Sequence, residues 1–212
     1  MIAFALDALA RSPRRVLEIG CGDGELALAL AAAGHDVVAI DPEAPTGAVF
    51  RHVRLEEFED SVPFDAVVAS LSLHHVADVD AAVDKVAAML VPEGLFVVNE
   101  FAWERLDERA AGWAAERLGH VDPHAVAAQW EREHRDLHTG TAVLAALERR
   151  FDRLRFDWVP YLARMLRRPE AEPGEARAIG AGALDPVGFR WIGRRRPLAR
   201  IGVPRVAALP RR

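Results

Sequence analysis

The chain has 212 residues, a formal net charge of −5 and 51% hydrophobic residues. This length fits one domain, or one with an appendage, and the hydrophobic fraction can build a full core. The net negative charge is the opposite of the basic face that a general nucleic-acid binder presents. A single cysteine cannot form an internal disulfide, so we expect cytoplasmic localisation, and no apolar run is long enough to cross a membrane.

The first predicted elements are an amphipathic helix over residues 1–10 and a short apolar strand over residues 16–19. Gly20, Gly22 and Gly24 follow the strand, and a helix over residues 26–33 comes next. Glycines allow positive φ angles and a close approach to a ligand, and the helix directs its free N–H groups at that ligand. The pattern therefore predicts a nucleoside site.

The glycine spacing also distinguishes a dinucleotide site from a site for a nucleoside without phosphates. A dinucleotide site has the spacing G-x-G-x-x-G, and Glu25 stands where its third glycine would be. An acid at that position repels a pyrophosphate instead of binding it. We therefore expect a ligand without phosphates.

Strands and helices then alternate as far as residue 100. Further strands are predicted at residues 36–40, 52–55, 64–70 and 95–100, with a helix at 79–90 between the last two. This alternation indicates an α/β fold with a parallel, doubly wound sheet.

The pattern changes after the fifth strand. Residues 102–150 are charged, rich in tryptophan and helical, so they are predicted to form an inserted helical cap within a single domain. Two closing strands follow at 154–159 and 188–193, with a helix near 175–183 between them. Residues 194–212 form a basic tail, which is typical of a solvated chain end.

The stretch V-L-E-I-G-C-G-D-G at residues 16–24 resembles the first motif of the class I S-adenosylmethionine-dependent methyltransferases. Residues 14–103 look closest to the small-molecule enzymes of the ubiquinone-biosynthesis-like group, and the likeness continues to residue 192 in architecture alone. The resemblance implies a Rossmann-like, mostly parallel sheet of seven strands whose last strand is antiparallel. It also implies S-adenosyl-L-methionine as the cofactor and a small molecule as the methyl acceptor.

The resemblance carries cofactor-binding roles onto the ends of the first two strands. Gly20, Cys21 and Gly22 would approach the methionine portion, and Glu18 would face its amino group. Asp41 ends the second strand, where a carboxylate can accept hydrogen bonds from both ribose hydroxyls. Pro42 would pack beside the adenine.

The ends of the third and fourth strands are less regular. The family usually has an Asp-Ala-like pair after the third strand, but this chain has Leu55, Glu56 and Glu57. Leu55 can offer a backbone N–H to the adenine, and Glu56 or Glu57 can accept from its amino group. Ser70 ends the fourth strand and completes the predicted cofactor set.

Four side chains are predicted candidates for catalysis on the acceptor side: His75, Glu100, His134 and His138, with Tyr161 as a further possible base. Histidine near its ordinary pKa can accept a proton or orient a substrate. The pairs His120/His124 and His134/His138 have the i, i+4 spacing of a metal site, but cysteine ligands are absent and we expect no metal.

The predicted reaction is methyl transfer to a small molecule by in-line displacement, with positioning and water exclusion under the cap. One alternative is a nicotinamide-dependent oxidoreductase, against which Glu25 argues. Another is a non-catalytic binding module that uses the basic tail on a partner. RNA methylation is disfavoured because no Asn/Asp-Pro-Pro-aromatic tetrad follows the fourth strand. The sequence leaves the acceptor and the oligomeric state open.

Overall fold

A computed structural model describes residues 1–10 and 14–196. Its seven strands form one sheet in the order β3-β2-β1-β4-β5-β7-β6. Strand β7 lies antiparallel between β5 and β6, and the β3-β2-β1-β4-β5 pairs are parallel. The predicted fold class is confirmed. The strands are β1 (Arg15–Ile19), β2 (Asp36–Asp41), β3 (Phe50–His52), β4 (Phe64–Ser70), β5 (Leu90–Phe101), β6 (Phe151–Val159) and β7 (Gly188–Arg195).

Helices cover both faces of this sheet and its carboxyl edge. They are α1 (Ile2–Leu9), α2 (Glu25–Ala32), α3 (Val79–Met89), α4 (Glu108–Arg117), α5 (Pro123–His134), α6 (Gly140–Arg150), α7 (Leu162–Met165) and α8 (Glu172–Gly180). Within residues 1–10 and 14–196, no helix combines the length and the apolar character that a membrane span needs.

The central strands are nearly continuous apolar runs because both of their faces are buried. Leu17 and Val67 face one core, which α3 and α6 cover, whereas Val16 and Val68 face the other, which α1 and α2 cover. The register pairs Leu17 with Val67, so alternate residues of the two strands reach the same core. This double burial fixes the strand ends that carry the site.

Several strand boundaries differ from the sequence prediction, most notably those of β3 and β5. Strand β3 occupies Phe50–His52, earlier than the predicted 52–55, and Leu55 lies in the turn that follows. Strand β5 begins already at Leu90, and its register to β4 shifts between Phe64 and Ala66. The segment Pro92-Glu93-Gly94 is therefore an irregularity inside β5.

The helical region after β5 contains two kinds of helix. Val143, Ala146 and Leu147 of α6 are buried in the same core as the sheet, so α6 covers a sheet face. In contrast, Ala110 and Trp113 of α4 belong to a separate small core. That core also contains residues of the segment between β6 and β7, namely Leu162, Ala163, Leu184 and Val187. We use "cap" below for α4, α5, α7 and α8.

The start of the predicted basic tail is tied to the sheet. Arg194 pairs with Glu93, Arg195 donates to the Leu90 carbonyl, and Arg196 pairs with Asp152. Residues 197–212 of the predicted tail lie outside the described part of the chain.

Candidate functional site

A cavity of about 460 Å³ lies beyond the carboxyl ends of β1, β2 and β4. Open parallel sheets bind their ligands at this edge, and the volume is in the usual range for small-molecule sites. The cavity brings together residues predicted from three strand ends and from the turn after β3. These are Gly20, Gly22, Asp41, Pro42, Leu55, Glu56, Ser70 and His75.

A wider cavity of about 640 Å³ lies elsewhere, beside Pro63 at the amino end of β4. Met89, the last residue of α3, lines it as well. Because no parallel strand ends there, the geometry of the sheet favours the carboxyl-edge cavity as the candidate site.

Two glycines of the first loop have different tasks. Gly20 has a φ of +69°, and a Cβ added there would lie 2.4 Å from the Ser72 Cβ. Gly22 has a φ of +51°, but a Cβ there would meet nothing within 4 Å. Gly20 therefore lets two loops pack against each other, and Gly22 lies beside open space in the cavity wall.

The N–H groups of this loop are already bound within the protein. Those of Gly20 and Cys21 donate to the Ile40 carbonyl at 2.8 and 3.2 Å. The Gly22 N–H donates to Asp41 Oδ2 at 3.0 Å. A pyrophosphate site needs such groups free to point at the ligand, so this loop lacks its main feature.

Glu18 has an unfilled acceptor beside the cavity. Its side chain is buried in β1, and its Oε2 atom has no hydrogen-bond partner in the described part of the chain. Burial, and then the negative charges of Asp23 and Asp41, raise the pKa of Glu18 to about 8. The side chain lines an adjoining cavity of about 330 Å³ together with Ser70, and a ligand ammonium group would satisfy the buried oxygen.

Cys21 is the predicted cofactor residue that the structure moves away from the cavity. Its side chain is buried in the hydrophobic core beside α2, and its N–H is bound to Ile40. Burial, with Glu18 and Asp41 nearby, raises the pKa of the thiol to about 12. The Cys21 side chain therefore does not reach the cavity as predicted, because the loop after β1 turns it into the core beside α2.

The far end of the cavity is lined by the turn after β3. Val53, Arg54 and Leu55 line it together with Glu56, and Leu55 is buried. Glu56 stays exposed, with its Oε1 atom 3.5 Å from the Ala77 nitrogen. Both predicted adenine-reading residues are therefore at the cavity, whereas the alternative Glu57 does not line it.

Glu100, which was predicted as a possible base, is instead fully hydrogen-bonded within the protein. Its Oε1 atom accepts from the N–H groups of Ser72 and Leu73 at 2.7 and 2.8 Å. Its Oε2 atom accepts from His74 Nδ1 at 2.7 Å and from the Phe101 N–H at 3.3 Å. These four bonds occupy the carboxylate, so Glu100 ties the loop after β4 to β5 and leaves no lone pair for a substrate proton.

His75 is the histidine at the cavity wall. Its ring lies 4.1 Å from that of His74, centroid to centroid, and its nitrogens have no hydrogen-bond partner among the described residues. Burial lowers the pKa of His75, and the neighbouring His74 and His134 lower it further. The imidazole is therefore neutral at pH 7, as an acceptor of a proton must be.

The predicted cap histidines have main-chain partners. His134 Nδ1 donates to the Trp130 carbonyl at 2.7 Å, and His138 Nε2 donates to the Val76 carbonyl at 2.8 Å. His134 ends α5 and His138 lies beyond it, while His120 precedes α5 with a φ of +60°. The two spaced pairs therefore do not share a helix face. In residues 1–10 and 14–196, no three His, Cys, Asp or Glu side chains gather as a metal site would require.

Tyr161 and its neighbours form an aromatic cluster beneath the cap. The Tyr161 ring stacks on Phe101 at 4.6 Å, and Phe101 also contacts His134 and Trp130 edge to face. Burial, and then Glu100, raise the pKa of Tyr161 to about 12. The phenol therefore keeps its proton at neutral pH and contributes an aromatic surface rather than a base.

Several cavity residues were absent from the predicted site, and three of them have a clear task or an unusual position. Ser72 donates from its hydroxyl to the Ile19 carbonyl at 3.0 Å and packs on Gly20. Leu71 lies beside it with a φ of +55°, a conformation that non-glycine residues adopt rarely. Arg164 reaches the cavity from α7, some 90 residues further along the chain. Of these residues, only Leu71 and Ser72 could have been predicted from the local sequence, because they directly follow Ser70 at the end of β4.

Comparisons with known proteins point to one family. A family model described as a methyltransferase domain matches residues 1–150. The chain is 35% identical over 97 residues to the ubiquinone biosynthesis O-methyltransferase of Rhodopseudomonas palustris, a match over 40% of this chain and 38% of that protein. The chain thus spans less than two fifths of the length of this curated relative.

Solved structures share the fold at low identity. An S-adenosylmethionine-dependent methyltransferase from Mesorhizobium loti aligns with a TM-score of 0.60 and 23% identity, over 90% of this chain and 96% of that one. The Burkholderia thailandensis 1,6-didemethyltoxoflavin-N1-methyltransferase, solved with 1,6-didemethyltoxoflavin and S-adenosylhomocysteine, aligns with a TM-score of 0.58 and 19% identity. That match covers 91% of this chain and 76% of the other.

Proposed function

The chain belongs to the methyltransferase domain family, and we propose that it transfers the methyl group of S-adenosylmethionine to a small-molecule acceptor. The observation that carries the proposal is the buried, unpartnered Glu18 oxygen beside a loop whose N–H groups are already bound. That arrangement suits a nucleoside with an ammonium group and no phosphates. The R. palustris relative and the solved neighbours support the same chemistry.

The residues at the carboxyl edge fit this cofactor. Glu18 would accept from the amino group, Gly20 and Gly22 would lie along the methionine portion, and Asp41 would accept from the ribose hydroxyls. The adenine would lie beside Pro42, Leu55 and Glu56, with Ser70 at the junction of the two cavities. When bound, the cofactor supplies a methyl group on a sulfonium and leaves as a neutral thioether.

The protein would position the methyl acceptor, exclude water from it and provide a group that takes up its proton. His75 lines the cavity as a neutral imidazole and would take the proton that an acceptor hydroxyl, amine or acidic carbon loses. The aromatic cluster of Phe101, Tyr161 and Trp130 packs against His74, the neighbour of His75, and would keep water from that side of the methyl acceptor. We propose that the reaction takes place in the cytoplasm, on the basis of the single cysteine.

Direct binding tests the proposal against the dinucleotide alternative. Calorimetric titration with S-adenosylhomocysteine should show saturable binding, and titration with NADH should show none. The variant Asp41→Asn should weaken S-adenosylhomocysteine at least about tenfold, because charge-assisted ribose hydrogen bonds are worth about 1.5–3 kcal/mol. Asp36→Asn, at the other end of β2, is the matched control and should bind like the wild type. Tight NADH binding without S-adenosylhomocysteine binding would refute the proposal.

A further inference from the structure

Arg164 is a cation that two cavities share. It projects from α7 and lines both the carboxyl-edge cavity and the adjoining cavity that contains Glu18. Among the described residues, its guanidinium group has neither a hydrogen bond nor an ion pair. Its guanidinium group is therefore available to a ligand where the two cavities meet.

The charged side chains that line the adjoining cavity are otherwise acidic, and Met1 with its α-amino group lines it as well. Glu18, Asp23 and Glu25 all line it, and Arg164 is the one cationic side chain of that wall in the described part of the chain. An amino acid's ammonium and carboxylate groups sit on the same carbon. If the ammonium binds Glu18, the carboxylate must enter this acidic surrounding, where a cation is needed to offset the repulsion.

The backbone that carries Arg164 is held firmly. Glu175 of α8 is completely buried, and its carboxylate accepts the N–H groups of Tyr161, Leu162 and Ala163 at 2.7–2.9 Å. These N–H groups lie at the beginning of α7 and have no acceptor within the helix. Their hydrogen bonds to a carboxylate therefore fix the start of the helix in place. Arg164 therefore starts from a rigid position, and only its side chain has to turn toward a ligand.

We infer that Arg164 binds the carboxylate of the cofactor's methionine end and thereby completes the cofactor site from the segment between β6 and β7. This inference rests on the proposed function. It makes α7 part of the cofactor site, although the first motif and Asp41 lie about 120 residues or more earlier in the chain.

A ligand without the carboxylate provides the test. S-Adenosyl-3-thiopropylamine keeps the nucleoside, the thioether and the amine of S-adenosylhomocysteine but lacks the carboxylate. Calorimetry should compare both ligands on the wild type, Arg164→Gln and the control Arg168→Gln, which removes an exposed arginine four residues away. Arg164→Gln should weaken S-adenosylhomocysteine at least about tenfold and leave the amine analogue unchanged, as expected for a lost charge-assisted bond. Arg164→Lys should recover part of the affinity.

Two results would overturn the inference. Equal affinity of the wild type and Arg164→Gln for S-adenosylhomocysteine would remove any role in carboxylate binding. An equal loss for both ligands would mean that Arg164 contacts another part of the nucleoside. In either case the wild type still binds S-adenosylhomocysteine, so the proposed function stands, whereas a wild type that binds neither ligand would refute both.

Discussion

The glycine-loop side of the sheet edge and the side beneath the cap each bury a carboxylate, and they use it in opposite ways. Glu18 is 2% exposed and has an oxygen without a partner, whereas Glu100 is 1% exposed and accepts four hydrogen bonds. A buried carboxylate that accepts its full set of hydrogen bonds stabilises the fold. A buried carboxylate oxygen without a hydrogen bond lowers stability unless a ligand donates to it. Burial alone therefore does not mark a functional acid; the count of its partners does.

The same contrast extends over the two regions. Beneath the cap, Glu175 binds three N–H groups and His138 binds a main-chain carbonyl, so the polar groups there are used for structure. Around the glycine loop, the acids Glu18 and Asp23 face a cavity. The first region provides walls, and the second provides the binding chemistry.

The largest expected effect distinguishes the two carboxylates by stability. Glu100→Gln should lower the free energy of unfolding by about 3 kcal/mol or more, because the new amide turns donors toward buried N–H groups. Glu18→Gln should instead raise it by about 2 kcal/mol at pH 6, because at this pH the unfolded wild type has lost the Glu18 proton, the folded protein still holds it, and the glutamine cannot ionise. Urea unfolding at pH 6 measures both values. Equal losses would contradict the contrast.

A second prediction concerns the pH dependence of stability. The pKa of Glu18 is raised from 4.5 to about 8 in the folded protein. Between these two values the unfolded chain has lost this proton and the folded chain keeps it, so the group's contribution to stability is complete below pH 4.5 and declines as the pH rises toward 8. The slope is about 1.4 kcal/mol per pH unit.

Urea unfolding of the wild type and Glu18→Gln at several pH values from 5 to 8 isolates this slope. The difference between the two proteins should shift steadily in favour of the variant as the pH rises, because the glutamine cannot ionise. Other titrating groups are common to both proteins and cancel. Parallel curves over this range would show that Glu18 has an ordinary pKa.

A smaller effect separates the two glycines within the loop. Gly20→Ala should cost about 2–3 kcal/mol of stability, since the left-handed φ is unfavourable and the new Cβ meets Ser72. Gly22→Ala should cost about 1 kcal/mol from the φ angle alone, and its main effect should be weaker S-adenosylhomocysteine binding. Thermal unfolding and calorimetry measure the two effects. A larger stability loss at Gly22 than at Gly20 would reverse the assignment.

The sequence predicted the glycine-loop side better than the cap side, for a physical reason. The loop, Glu18 and Asp41 lie at the ends of apolar strands, and strand periodicity alone places them at one edge. Cys21 was misplaced because the periodicity ends at the loop. Glu100 was misread because its partners, Ser72 and His74, are about 26–28 residues away and only the fold brings them together.

Arg164 could not be found by pattern at all. It belongs to α7, a helix of four residues that is too short to show a helical hydrophobic period. This helix directly follows β6, and the position of β6 at the end of the strand order is set by its long-range pairing with β7. The sequence also did not predict that α6 covers a sheet face, because its apolar side chains could equally have packed against the cap helices. Long-range packing decided both cases.

Proton release on ligand binding tests the central claim most directly. At pH 7 Glu18 holds a proton in the free protein, and binding of the ligand's ammonium group should expel it. Calorimetry of S-adenosylhomocysteine binding in two buffers of different ionisation enthalpy measures the number of protons released. We predict close to one proton, roughly 0.7–1 per ligand, for the wild type and none for Glu18→Gln. The same proton release from both proteins, or none from the wild type, would contradict the account.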